Sequence, residues 1–373
     1  MLDKNRLIKL FLELVKIDSL SLKERNIANR LKNELKGLGL SVKEDNTGVK
    51  INGNTGNIIA TLEGEKDYPV LLFSAHMDRV EPGFGIKPYI ENGYIKSEGD
   101  TILAGDDLIG VTVIVEVLRY IIENEIEHGG IIVIFSVAEE IGLLGAKNLE
   151  EEIYKKADYG FVLDVDGDIG TVVNRAASQM KIKAIIRGKS AHAGIEPDKG
   201  INAIKIASNA ISKMKLGKID EETTANIGVI KGGLASNIVP DFVELEGEAR
   251  SLNNSKLNKQ IESMKGIIQY YTNIYQGSVE FDVRYLYSNF NINIDSKIVK
   301  FINKSAADIG IKIKLLSSGG GSDANIFNNN GLKTLNLGTG MELVHSTEER
   351  VKVENIIKLA ELLLSIINNS RYF

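Results

Sequence analysis

No cysteine occurs in the chain. That absence excludes a disulfide framework, a thiolate zinc site and a cysteine nucleophile, so any metal must be held by imidazole and carboxylate. Histidine is scarce too, with four in 373 residues, so the place of each one carries weight. No run approaches the ~18 apolar residues of a membrane span. The opening MLDKNRLIKLFLELVKI puts Leu7, Leu10, Phe11 and Leu14 at helical spacing with charges between them, unlike the unbroken apolar core of a signal peptide. The expectation is a cytoplasmic protein that contacts no membrane. A formal net charge of -5 also argues against nucleic acid as a partner.

What is present is an ordinary globular balance, 43% hydrophobic and 25% charged, in a chain long enough for two cores. Residues 3 to 17 and 22 to 38 read as amphipathic helices. NIIATLEG, VLLFSAH, GIIVIFSVAEE and DYGFVLDVDGD read as strands, with helices at IGVTVIVEVLRYIIEN and LLGAKNLEEEIYKKA between them. The strands are apolar throughout, which predicts an α/β domain with a mostly parallel sheet and covering helices. From residue 177 the texture changes to alternation, in the order strand, helix, strand, strand, helix, strand, a ferredoxin-like α+β pattern. Near residue 288 the first style returns. The division expected is therefore 1–176 with 288–373, and an inserted domain at 177–287.

Ligands in open α/β sheets collect at the carboxyl ends of strands, and the polar clusters sit there. His76 and Asp78 follow one strand, Glu139 and Glu140 another, and Asp164 and Asp166 a third. Asp106 and Asp107 open a helix, and His345 lies in a loop after TLNLG. Each piece alone has a plainer use: an acid pair before a helix is usually a cap, and an isolated histidine is usually packed in a core. His128, at a helix end, suits such a use. Together they are an inventory sufficient for two zinc ions and a carboxylate that bridges them.

The order HMD, AGDDLIG, AEEIGLLGA, LDVDG, SAHAGIEPDKG, GGLASNIVPD, GGGSDANIF and GTGMELVHSTEE resembles the di-zinc exopeptidase and acylase family, in its peptidase T-like branch, over nearly the whole chain. The resemblance implies two zinc ions, with cobalt or manganese as substitutes. His76 would bind one ion, Asp106 would bridge, and Glu140 and His345 would bind the other. An acid of LDVDG would complete the His76 side, Asp164 being favoured over Asp166 because it leaves the strand directly. Asp78 would orient the His76 imidazole, and Glu139 would be the general base. His192 and Asn237 match positions that contact substrate or the tetrahedral intermediate, and Arg250 is a candidate for a substrate carboxylate. Where peptidase T has an arginine before its Gly-Gly-Thr-Asp turn, this chain has Gly319, which leaves Ser322 and neighbouring amides to bind a carboxylate there. The function implied is hydrolysis of short peptides with release of the N-terminal residue. N-acyl amino acid deacylase or dipeptidase is the alternative within the family, and a non-catalytic zinc-holding peptide-binding protein the alternative outside it. The inserted domain is expected to act as a lid and to form a homodimer.

Overall fold

Two compact units appear in the computed structural model, which describes residues 2–372. Residues 2–174, 291–317 and 322–372 make the first, and residues 175–290 with 318–321 make the second.

The first unit grows from the apolar runs. Leu71–His76 and Ile131–Ser136 are buried at every position, as strands covered on both faces must be. Its large sheet includes, in order, Ser41–Glu44, Ile58–Leu62, Ile131–Ser136, Leu71–His76, Tyr159–Val165, Thr334–Gly338 and Thr171–Ala176. The strands from Ile131–Ser136 to Thr334–Gly338 are parallel, and antiparallel strands flank them. The mostly parallel α/β architecture expected from the sequence is the one observed. The parallel strands all deliver their carboxyl ends to one edge, where His76 and the 137–140 turn emerge.

The helix Gly105–Glu123 packs on Leu71–His76 and Tyr159–Val165, and Lys4–Leu14 and Val353–Asn369 cover its outer side. This double cover explains its apolar sequence on nearly every face. Its first turn comes very close to the sheet: a Cβ at Gly110 would stand 2.6 Å from Asp107 Oδ1 and 2.7 Å from the Leu163 carbonyl oxygen. Only glycine fits there.

Three local features differ from expectation. The helix expected from residue 109 begins at Gly105, with Asp106 and Asp107 in non-helical conformation (ψ 103° and 32°). LLGAKNLEEEIYKKA forms two short helices, Leu144–Lys147 and Glu151–Tyr154, because Glu150 between them is extended. The Tyr154 hydroxyl folds back to donate to the Ala146 carbonyl. A small antiparallel sheet of Pro88–Glu91, Tyr94–Ser97, Arg350–Lys352 and Met341–Glu342 was not anticipated. It holds both ends of the loop that carries His345 and Glu349.

The second unit is an antiparallel sheet in the order Gly217–Lys218, Thr223–Gly232, Phe242–Ser251, Ser178–Arg187, Ser278–Tyr287. Ala203–Lys213 and Asn254–Ile274 pack against it through Ile206, Leu257, Ile261 and Ile268, which meet Ile182, Ile186 and Leu245. Both helices start at asparagine caps, Asn202 accepting from the Lys205 amide and Asn253 from those of Ser255 and Lys256. Along Ser178–Arg187 burial largely alternates, as strict period-2 patterning demands of a sheet with one covered face.

Candidate metal centre

His76 is the last residue of its strand and is buried. Its Nδ1 lies 2.9 Å from the backbone carbonyl of Asp78, so the ring proton belongs on Nδ1. That leaves Nε2 as a free lone pair, 2.9 Å from Asp106 Oδ1 and 3.9 Å from Asp164 Oδ1. The sequence suggests that the Asp78 carboxylate aims this ring. In the structure that carboxylate stands 3.5 Å from Nδ1, and its shorter bonds go elsewhere. It accepts from the amides of Glu139 at 2.9 Å and Glu140 at 3.2 Å, and from the Ser21 hydroxyl at 2.6 Å. Asp78 thus ties the His76 loop to the turn that carries both glutamates.

Asp106 stands between two imidazoles, its Oδ2 lying 3.1 Å from His345 Nε2. His345 Nε2 also approaches Glu140 Oε1 at 2.9 Å. Among the described residues, the donor atoms of His76, Asp106 and Glu140 lie within 4.8 Å of one another, as do those of His76, Asp107 and Asp164. Asp166 is exposed and belongs to neither group. Asp107 enters the second group unforeseen; its Oδ2 accepts from the His76 amide at 3.2 Å.

Burial pushes Asp107, Glu139, Glu140 and Asp164 above the usual carboxylate range, and like-charged neighbours push the same way. Burial would raise Asp106 too, but the His345 and His76 rings, once protonated, donate to it and hold it below that range. His345, bonded to Asp106 and Glu140, is pushed up to about 10. Crowded acids of this kind need positive charge. Imidazole with carboxylate is the donor set that zinc takes without thiolates, so the residues present fit a divalent ion pair.

The other predicted positions fall into place separately. Ser322 is buried at the start of Asp323–Asn329, where it shares a capping box with Asn325 and its hydroxyl accepts from Asn336. In both bonds the hydroxyl oxygen is the acceptor. In the second unit, His192 and Asn237 are exposed on adjoining stretches, joined by the Ala193 amide donating to the Asn237 carbonyl. His192 Nδ1 accepts from the Gly194 amide, so Nε2 carries the ring proton as a donor. Arg250 is held by Glu248, with Nη1 3.5 Å from the Gly319 carbonyl. Sequence reasoning missed Asp107, Ser21 and Glu349. Only Asp107, beside Asp106, and Glu349, in the HSTEE stretch with His345, had any signal nearby.

A parallel-sheet edge where strand ends, a helix start and a loop bring imidazoles and acids together has the donor set of a metal-dependent hydrolase. The chain belongs to peptidase family M20/M25/M40, whose model matches residues 72–369. It is 44% identical to the uncharacterized protein YqjE of Bacillus subtilis strain 168, over 99% of this chain and 100% of that one. Among solved structures it is similar to aminopeptidase PepT from Bacillus cereus (43% identity, TM-score 0.91, 99% of each chain). It is also similar to a tripeptidase from Staphylococcus aureus (41% identity, TM-score 0.96, 100% of each chain). The chain is a peptidase T-like metallopeptidase of this family.

Proposed function

We propose that the chain is a two-zinc exopeptidase that releases the N-terminal residue from short peptides. The placement of Asp106 carries this reading, with one carboxylate oxygen 2.9 Å from His76 Nε2 and the other 3.1 Å from His345 Nε2. A carboxylate offering one oxygen to each of two imidazoles is arranged to bridge two cations. His76 and Asp164 would hold one ion, Glu140 and His345 the other, and Asp106 both. When bound, such ions polarise the scissile carbonyl and lower the pKa of water toward ~7. Zinc suits the donors best, with cobalt or manganese as substitutes.

Glu139 is the general base: it takes the proton of the attacking water and returns it to the departing amine. Asp78 fixes the Glu139 amide, and through it the direction in which that carboxylate leaves the turn. His192, with its proton on Nε2, donates to the oxygen that gains negative charge, and Asn237 assists it. Arg250, braced by Glu248, receives the substrate carboxylate. With Gly319 in place of an arginine, the substrates are short peptides of varied length.

The protein works in the cytoplasm on this reading. No helix among the described residues is long and apolar enough to cross a membrane. The second unit acts as lid and homodimer contact, for which Ser278–Tyr287, at the end of its sheet order, supplies an edge strand. The test is metal analysis combined with a panel of di- and tripeptides and acylated amino acids, before and after chelation. N-terminal residue release that chelation abolishes and zinc restores is expected. Turnover confined to acylated amino acids would sink the aminopeptidase reading, and chelator-resistant turnover would sink the metal reading.

A further inference from the structure

Glu349 is buried and close to the bridging aspartate, yet its carboxylate faces the backbone before Asp106 rather than the donor cluster. Oε2 accepts from the amides of Leu103 at 2.8 Å and Ala104 at 2.9 Å, and Oε1 from the amide of Asp106 at 3.1 Å. The turn it grips is unusual, since Ala104 has a left-handed backbone (φ 61°) and Asp106 is non-helical. Three amide donors that a regular helix start would leave to solvent or a cap therefore converge on one side chain. A Cβ on Gly105 would stand 3.0 Å from Oε1, so the intervening residue is also shaped to the carboxylate.

Four residues before Glu349 in the chain, His345 meets the Asp106 carboxylate from the other side at 3.1 Å. The loop is closed by the Glu349 amide donating to the Ser346 carbonyl. One short loop thus supplies a partner for the bridging carboxylate and the acceptor that fixes its backbone. We infer that Glu349 is a positioning residue that sets the geometry of Asp106 and, with it, the affinity for the second of two divalent cations. This rests on the two-cation reading. Support residues of this kind typically change metal affinity 10- to 100-fold.

Glu349→Gln is the pointed variant. Its one amide oxygen can serve Leu103 and Ala104 together, which turns the amide nitrogen toward the Asp106 N–H and withdraws that acceptor alone. Cobalt titration of the full-length chelated protein, followed by heat and by visible absorption, is expected to show two ions in the wild type. In Glu349→Gln the second binding step should weaken on the order of 10- to 100-fold, with an altered absorption spectrum and a first step within about threefold of wild type. Equal weakening of both steps, or an unchanged second step in a folded protein, overturns the inference. If Glu349→Gln does not fold, Gly105→Ala, which crowds Oε1 and keeps the charge, must weaken the second step severalfold, and wild-type binding by that variant overturns the inference. A wild type that binds no cobalt refutes the two-cation reading itself.

Discussion

Replacing Asp78 by asparagine separates its role as a knot from any role as a charge. Three donors converge on its buried carboxylate: the Glu139 amide on Oδ1, and the Glu140 amide and Ser21 hydroxyl on Oδ2. Asparagine offers one oxygen. Set toward the Oδ2 position, it keeps Glu140 and Ser21 and leaves the Glu139 N–H facing an amide nitrogen; reversed, it keeps Glu139 and orphans Glu140. Either way one buried N–H loses its partner, at ~1–3 kcal/mol, and the surviving bonds lose their charge assistance, at about 1 kcal/mol each. Relief runs the other way, because the Asp78 charge helps to raise both Glu24 and Glu139. The lost bonds outweigh it, and a net loss of about 2–3 kcal/mol is expected. The assay is urea unfolding of the chelated protein, so that metal linkage does not enter. With metals saturating, kcat should fall by ~10- to 100-fold, as it does when the support of a metal centre is removed. A cycle with Ser21→Ala should be non-additive by about 1 kcal/mol. An Asp78→Asn protein within 0.5 kcal/mol of wild type, with unchanged kcat, would refute the reasoning.

Arg79 is fully buried and donates to Ser19 Oγ and to the carbonyls of Val15, Ile17 and Gly83. Burial lowers it to about 10, so it stays charged at neutral pH. Arg79→Met should cost about 3 kcal/mol in urea unfolding, since four orphaned acceptors outweigh the relieved charge; a neutral substitution would show that the acceptors find other donors. Glu24 is raised from 4.5 to about 7, by burial first and then by the Asp78 charge. Its contribution is complete below 4.5 and is lost as pH rises through 7. Wild type minus Glu24→Gln stability should therefore fall between pH 5 and 8 by at most on the order of 3 kcal/mol, and parallel unfolding midpoints at the two pH values would contradict this. Gly110→Ala forces a methyl against Asp107 and the Leu163 carbonyl; melting should show a loss of ~1–3 kcal/mol or more, and a wild-type melting temperature would show that the helix can withdraw freely.

Much of the candidate site was legible in the sequence because of where strands end. LLFSAH and IIVIFS are apolar without alternation, so they had to be inner parallel strands, and whatever followed them had to reach one edge of the sheet. His76 and the Glu139–Glu140 pair were found that way. The Asp106–Asp107 pair was seen as the opening of a helix, but its bent turn was not, since nothing in AGDD reports that an acid far along the chain will take its amides. The small sheet was missed because its strands have two to four residues, too few for a period to register.

What stayed hidden shares one physical trait. Glu349 and Glu24, and Asp78 in the use its shortest bonds show, act by accepting backbone N–H groups: those of Leu103, Ala104 and Asp106, of Leu22 and Ala138, and of Glu139 and Glu140. Every residue but proline presents the same amide, so an acceptor of this kind has no partner type and no spacing to betray it. Burying further carboxylates beside an acidic centre raises the electrostatic cost of the whole cluster, and hydroxyls would have made cheaper acceptors. A carboxylate, however, has two oxygens in fixed relation and can hold two or three amides at once. That is the requirement where a turn must enter a helix or leave a strand in a conformation its own residues do not favour, as at Ala104 (φ 61°) before Gly105–Glu123 and at Ala138 (φ 51°) after Ile131–Ser136. The acids around this centre therefore divide by what they face: those aimed inward need cations, and those aimed at the backbone make the inward ones arrive in place.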